Sequence, residues 1–175
     1  YVVAAIRRLY SLECVQEAMH YALNQLSEAA PQWVQERAPL EWYERYGPRA
    51  DLWRLPKEES KRNALTLVIG TDGYTLLDAL WQDVSVRHLF ALPTVELLRQ
   101  IWLQHYYRCM EPGLETLRWR DTADQPPSSQ LIQSPYDPEA RYSNKRSTNW
   151  VGYKVHLTET CDAGYPDLIT QVSTT

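Results

Sequence analysis

The apolar residues change period along the chain, and that change limits the fold more than any other feature. Over 3–29, Ile6, Leu9, Leu12, Val15, Met19, Ala22, Leu23 and Leu26 recur at spacings of three and four. Such spacing places them on one stripe of a helix. Over 150–160 the period is two, with Val151, Tyr153, Val155 and Leu157 on one side and Trp150, Lys154, His156 and Thr158 on the other. Helical patterning first and strand patterning last predict an α+β chain.

Punctuation divides the helical part. Pro31 ends the first helix or begins the next turn. A connection rich in Trp33, Trp42, Tyr43, Tyr46 and Trp53, broken by Pro39, Gly47, Pro48 and Pro56, predicts short helical turns that pack aromatic rings on their neighbours. After Pro56, Lys57, Glu58 and Glu59 form a charged first turn leading to Leu65, Val68 and Ile69. Gly70-Thr71-Asp72-Gly73 reads as a stop and restart, with Thr71 or Asp72 capping a further helix through Leu76, Leu77 and Leu80. Pro93 opens a run to about Arg108 with Val95, Leu98, Ile101, Trp102 and Tyr106 on one face. Four or five helices are expected over 1–112.

Leu114 to Arg120 suits a short strand. Residues 122–138 carry Pro126-Pro127, Pro135 and Pro138 and predict an extended surface loop, so 113–148 reads as a linker. Over 149–175, Trp150–Thr160, turn residues at 162–166 and a returning run with Leu168, Ile169 and Val172 form a β-hairpin. A lone hairpin is marginal in water and needs sheet partners.

A net charge of −4 and a pI near 5.6 argue against a free-standing nucleic-acid binder, so any such face must come from local charge. Cys14, Cys109 and Cys161 are odd in number and form no CxxC pair, which suits a reduced, cytoplasmic protein. No apolar run approaches the ~20 residues of a membrane helix. The expectation is a soluble protein with no membrane partner.

His20, His88, His105 and His156 show no zinc-type spacing with the cysteines, although His105 and Cys109 would share a helix face. No GK[ST] follows Gly70 and Gly73, and no GxSxG elbow exists. Asp137 and Glu139, two residues apart, offer oxygen ligands for magnesium. By residue type, however, Asp137 more readily caps a turn that starts at Pro138. Arg141, Lys145, Arg146 and Lys154 form a local positive cluster among Tyr142, Trp150 and Tyr153. They are the candidate DNA-binding residues, with Ser143, Asn144, Ser147 and Thr148 as further donors to phosphates. The competing reading is a solvated loop and strand face.

One long stretch carries more specific information: Ser134-Pro135-Tyr136-Asp137-Pro138-Glu139-Ala140-Arg141-Tyr142, then Lys145-Arg146, Trp150 through Asp162, and Asp167 through Thr175. It resembles the central region of the DDE transposases of bacterial insertion sequences, whose core is ribonuclease-H-like. Ala4-Ala5-Ile6-Arg7-Arg8-Leu9, Glu41 through Gly47, Trp53 through Lys57 and Trp119-Arg120-Asp121 are similar to the same family. The resemblance covers nearly the whole chain.

It implies a helical insertion followed by part of a ribonuclease-H-like sheet, in an enzyme that cuts and joins DNA strands. In that family two Asp and one Glu hold two magnesium ions for in-line attack on a phosphodiester. None of those three carboxylates maps onto this chain, so no catalytic residue is assigned, and Asp137 remains a candidate metal ligand. Tyr1 opens the chain without a Met and Thr174-Thr175 falls in a strand-like run, so the expectation is an internal fragment of a bacterial transposase, inactive alone. DNA and further copies of the parent chain are the implied partners. The competing expectations are a non-enzymatic helical interaction module, a decayed remnant, and a metal nuclease complete within the chain on Asp137 and Glu139.

Overall fold

The first apolar stripe forms α1, Ser11–Ala29, with Leu12, Val15, Met19, Ala22 and Leu26 buried. A computed structural model describes residues 11–48, 55–111, 114–161, 163–164, 166 and 168–174. Ile6 and Leu9 of the stripe, and Trp53, lie outside them. Pro31 is the first residue of α2, Pro31–Arg37, and α3 follows as Leu40–Tyr46. These short helices bury Trp33, Trp42 and Tyr46, as the aromatic-rich connection predicts, whereas Tyr43 is exposed.

As at every helix end, the last carbonyls of α3 need partners from outside the helix. α1 supplies them: Gln16 Nε2 donates to the Arg45 carbonyl at 3.0 Å, and His20 Nδ1 donates to that of Tyr46 at 2.6 Å.

The expected break at 70–73 does not occur. Helix α4 runs unbroken from Glu59 to Gln82. The glycines serve close approach instead of termination. A Cβ on Gly73 would sit 2.1 Å from the Trp102 ring, and one on Gly70 would sit 2.5 Å from Tyr106. Asp72 caps nothing. It accepts the Tyr46 hydroxyl at 2.6 Å and an Arg45 N–H, tying α3 to the middle of α4.

A 3-10 turn, Arg87–Ala91, leads to α5, Pro93–His105, which begins at Pro93 as expected. The helix ends three residues earlier than its apolar pattern suggests. Tyr106 is extended and opens β1, Tyr106–Glu111, which pairs antiparallel with β2, Leu114–Trp119. This conformation buries the Tyr106 ring between Trp102 and Trp119 and lets its hydroxyl donate to the Thr66 carbonyl at 2.8 Å. Cys109 therefore lies in a strand, so His105 and Cys109 share no helix face. The hairpin packs on α4, and α1 packs on α5. The resulting core joins all five helices to Tyr106, Leu117 and Trp119. The division expected near residue 112 thus falls within one hairpin, between β1 and β2.

Residues 120–140 hold no long element, but they do not simply run over the surface. Gln104 brackets Ile132, accepting its N–H at 2.9 Å and donating to its carbonyl at 3.0 Å. Ser134 and Pro135 are buried, and the Tyr136 hydroxyl donates to the buried carboxylate of Glu17. The segment is a strap held against α1 and α5.

The single strand expected over 150–160 is two strands. β4, Thr148–Gly152, pairs with β3, Arg141–Lys145, whereas β5, Val155–Glu159, pairs with β6, Ile169–Thr174. Tyr153 and Lys154 belong to neither. The break follows Gly152, at φ 158°, and it uncouples the faces on either side. Val151 is buried, but Val155 and Leu157 are exposed. The chain is thus mixed α+β, with five α-helices and three two-stranded antiparallel sheets among the described residues. No described helix is long and apolar enough to cross a membrane.

Candidate nucleic-acid interface

Between Glu139 and Glu159 the sequence has four cationic side chains and no carboxylate, in a chain of net charge −4. This segment forms the β3–β4 hairpin and its exit. Arg141 pairs with Gly152, Tyr142 with Val151, Ser143 with Trp150, Asn144 with Asn149 and Lys145 with Thr148, and Arg146-Ser147 make the turn.

The base of the hairpin is packed: Ala140, Ser143 and Val151 are buried. Its tip projects, because every residue from Asn144 to Asn149 is exposed. All six tip side chains are hydrogen-bonding groups, and none is acidic or apolar.

The four candidate cations separate into two pairs. Lys145 and Arg146 sit together at the tip. Arg141 lies at the base, and Lys154 follows the base two residues after Gly152. Five residues of strand span about 14 Å, more than the ~8–10 Å over which salt screens exposed charge. The pairs therefore act as separate centres.

Arg141 is turned back on the chain, its guanidinium donating to the carbonyls of Pro138 and Ala140. That geometry fixes the entry to β3 and leaves the tip pair, with the exposed Lys154 beyond the base, as the outward charge. Arg146 holds φ 58° in the two-residue turn, a left-handed conformation unusual for a residue other than Gly.

Asp137 is occupied by local structure. Its Oδ1 accepts the Ala140 N–H at 3.1 Å and the Tyr153 hydroxyl at 2.6 Å. The hydrogen bond to Asp137 raises the Tyr153 pKa, keeping its proton in place. This is the turn-capping arrangement that the Asp-Pro pair suggests. Glu139 is exposed, and among the described residues no group of three or more His, Cys, Asp or Glu is placed to hold a metal ion. Asp137 Oδ1 is thus committed to the turn.

The buried reactive side chains Cys14 and His105 are committed to packing. Burial and the neighbouring Glu17 carboxylate push the Cys14 thiol up to about 12. His105 is buried and stacked on Trp119 at 4.9 Å, and burial pushes its imidazole down to about 4. Neither is poised for chemistry near neutral pH.

Sequence reading found the tip cations and Asn144 but passed over Asn149. The register makes it important: Asn149 stands opposite Asn144, and the Asn144 side-chain amide donates to the Asn149 side-chain carbonyl. Only the position of the turn, at Arg146-Ser147, carries the signal that places the two amides together. No protein-family model, curated protein or solved structure matches the chain.

Proposed function

We propose that this chain is the central part of a DDE transposase, an enzyme that cuts and joins DNA during insertion-sequence transposition. On this reading the helical part is an insertion into a ribonuclease-H-like core, and β5–β6 belongs to the sheet of that core. The observation that carries the proposal is the state of this hairpin. Every described residue of β5 and β6 is exposed, including Val155, Leu157, Ile169 and Val172. A hairpin with an uncovered apolar face, on which Leu157 stands opposite Val172, and with both edges unpaired among the described residues, needs neighbouring strands and a layer over that face. A ribonuclease-H-like sheet supplies both. The long motif over 134–175 that resembles these enzymes ends in the same hairpin.

The metal-binding carboxylates of such an enzyme then lie outside this chain, and the segment alone has no strand-transfer activity. The deciding experiment is to sequence the DNA on both sides of the coding segment. An in-frame Asp-Ser-Thr strand upstream, with an Asp and a Glu downstream, supports the proposal and makes the assembled protein the one to assay with magnesium and DNA ends. Stop codons or frameshifts on either side sink it in favour of a remnant.

One observation favours a second reading. The buried core runs through α1–α5, β1 and β2 without using β5 or β6. A helical interaction module would fold on that core alone. Removing 155–175 discriminates: an unchanged melting transition favours the module, and loss of cooperative melting favours the enzyme segment.

A further inference from the structure

We propose that the β3–β4 tip enters the major groove of duplex DNA, with Lys145 and Arg146 on phosphates and the Asn144–Asn149 pair against a base edge. This deepens the transposase reading and rests on it for the choice of DNA as partner. The geometry comes from the hairpin itself.

A two-stranded β-ribbon is narrow enough for the major groove, which is about 12 Å wide. The β3–β4 tip is such a ribbon, standing clear of the packed base at Ser143 and Val151. Charge complementarity selects a polyanion. Lys145 and Arg146 are exposed, no carboxylate lies between Glu139 and Glu159, and neither cation has an ion-pair partner among the described residues. Lys145 shares its face with Thr148, whose hydroxyl is a further phosphate donor.

The opposite face of the tip carries the amide pair. Asn144 donates to Asn149, which leaves the Asn144 carbonyl oxygen as an acceptor and the Asn149 amide as a donor. Reversing both amides leaves one outward donor and one outward acceptor again. Adenine presents the complementary set in the major groove, an N6–H donor beside the N7 acceptor. The pair is joined across the strands before it meets DNA, so little side-chain freedom is lost on contact. A·T base pairs are therefore the preferred target beneath the tip.

The test is fluorescence anisotropy of the full 175-residue chain with labelled 20-base-pair duplexes, one A·T-rich and one G·C-rich, titrated across salt. Single-stranded DNA and single-stranded RNA of equal length are the comparison probes. Three proteins are compared: wild type, Lys145→Ala/Arg146→Ala, and Asn144→Ala/Asn149→Ala. Circular dichroism confirms that each retains the wild-type fold, and Lys145→Gln/Arg146→Gln replaces the first double variant if it does not.

The expected result is tightest binding to the A·T-rich duplex. Removing the cations weakens binding to both duplexes by at least tenfold and reduces the salt slope by about 2, one for each phosphate contact. Removing the amides equalises the two duplexes and leaves the salt slope unchanged. Failure to bind duplex at low salt, tighter binding to either single strand, or an unchanged slope in the cation variant overturns the proposal. These outcomes are independent of the flanking-DNA experiment. Duplex binding beside interrupted flanking frames keeps the interface and removes the transposase, and intact frames with no duplex binding do the reverse.

Discussion

The indole ring of Trp102 occupies the space where a side chain on Gly73 would lie, and its N–H donates to the Gly70 carbonyl at 3.0 Å. Two helices approach closely there because one of them carries no Cβ. The contact makes Gly70 and Gly73 packing residues in the middle of a helix, where glycine is otherwise unfavourable.

Gly73→Ala tests this directly. Alanine contributes about 1 kcal/mol in a helix interior, whereas forcing a methyl into a filled core costs about 3 kcal/mol. The net outcome is a loss of about 2 kcal/mol, read by urea unfolding followed through tryptophan fluorescence. A stabilised variant would mean that the close approach is absent.

The buried imidazole of His105 gives the chain a pH dependence with a defined window. Its folded pKa of about 4 lies below the ordinary 6.5, so the unfolded chain takes up the proton first. Stability from this residue is complete above pH 6.5 and falls as pH drops toward 4, where both states are protonated. The window corresponds to about 3 kcal/mol. His105→Gln should flatten the melting temperature between pH 6.5 and 4, and a curve parallel to wild type contradicts the assignment.

Asp83 acts at lower pH. Hydrogen bonds from Ser85, Arg37 and Trp33, the last two at 2.9 and 3.0 Å, hold its carboxyl well below the usual carboxylate range. Its folded pKa is depressed, so its contribution is present above the unfolded value near pH 3.9 and is lost as pH falls through the folded value. Asp83→Asn should leave the slope between pH 6.5 and 4 intact and reduce the further drop in melting temperature below pH 4. An equal drop in both proteins would remove Asp83 from the account.

Arg146 bears a conformational cost at the hairpin tip. With φ at 58°, replacement by glycine relieves about 1 kcal/mol of backbone strain and returns part of it as unfolded-chain entropy. Arg146→Gly should increase amide hydrogen-exchange protection in β3 and β4 while weakening DNA binding. Opposite changes in hairpin order and binding separate a functional arginine from a structural one. Reduced protection would show that the turn does not hold the left-handed conformation.

Much of the architecture was legible because it depends on local rules. A stripe of period three to four gave α1, Pro31 and Pro93 opened α2 and α5, and alternation with turn residues announced the β5–β6 hairpin. The Asp-Pro turn at 137–138 and the cations at 145–146 were legible for the same reason. Capping and charge are properties of neighbouring residues.

What the sequence by itself determined was where most helices begin, the closing hairpin and where local charge accumulates; β1 and β3 fall in stretches that read as helix and linker. Tertiary structure alone decided that α4 passes through Gly70 and Gly73 without a break, because the rings that exclude a side chain there come from Trp102 and Tyr106. It also ended α5 at His105, where an extended Tyr106 gains a buried ring contact and a hydrogen bond to Thr66. Cross-strand register then set Asn149 beside Asn144. Local preference is carried by each residue and its neighbours. Close backbone approach and side-chain pairing depend on partners distant in the chain, so they exist only once the chain has folded.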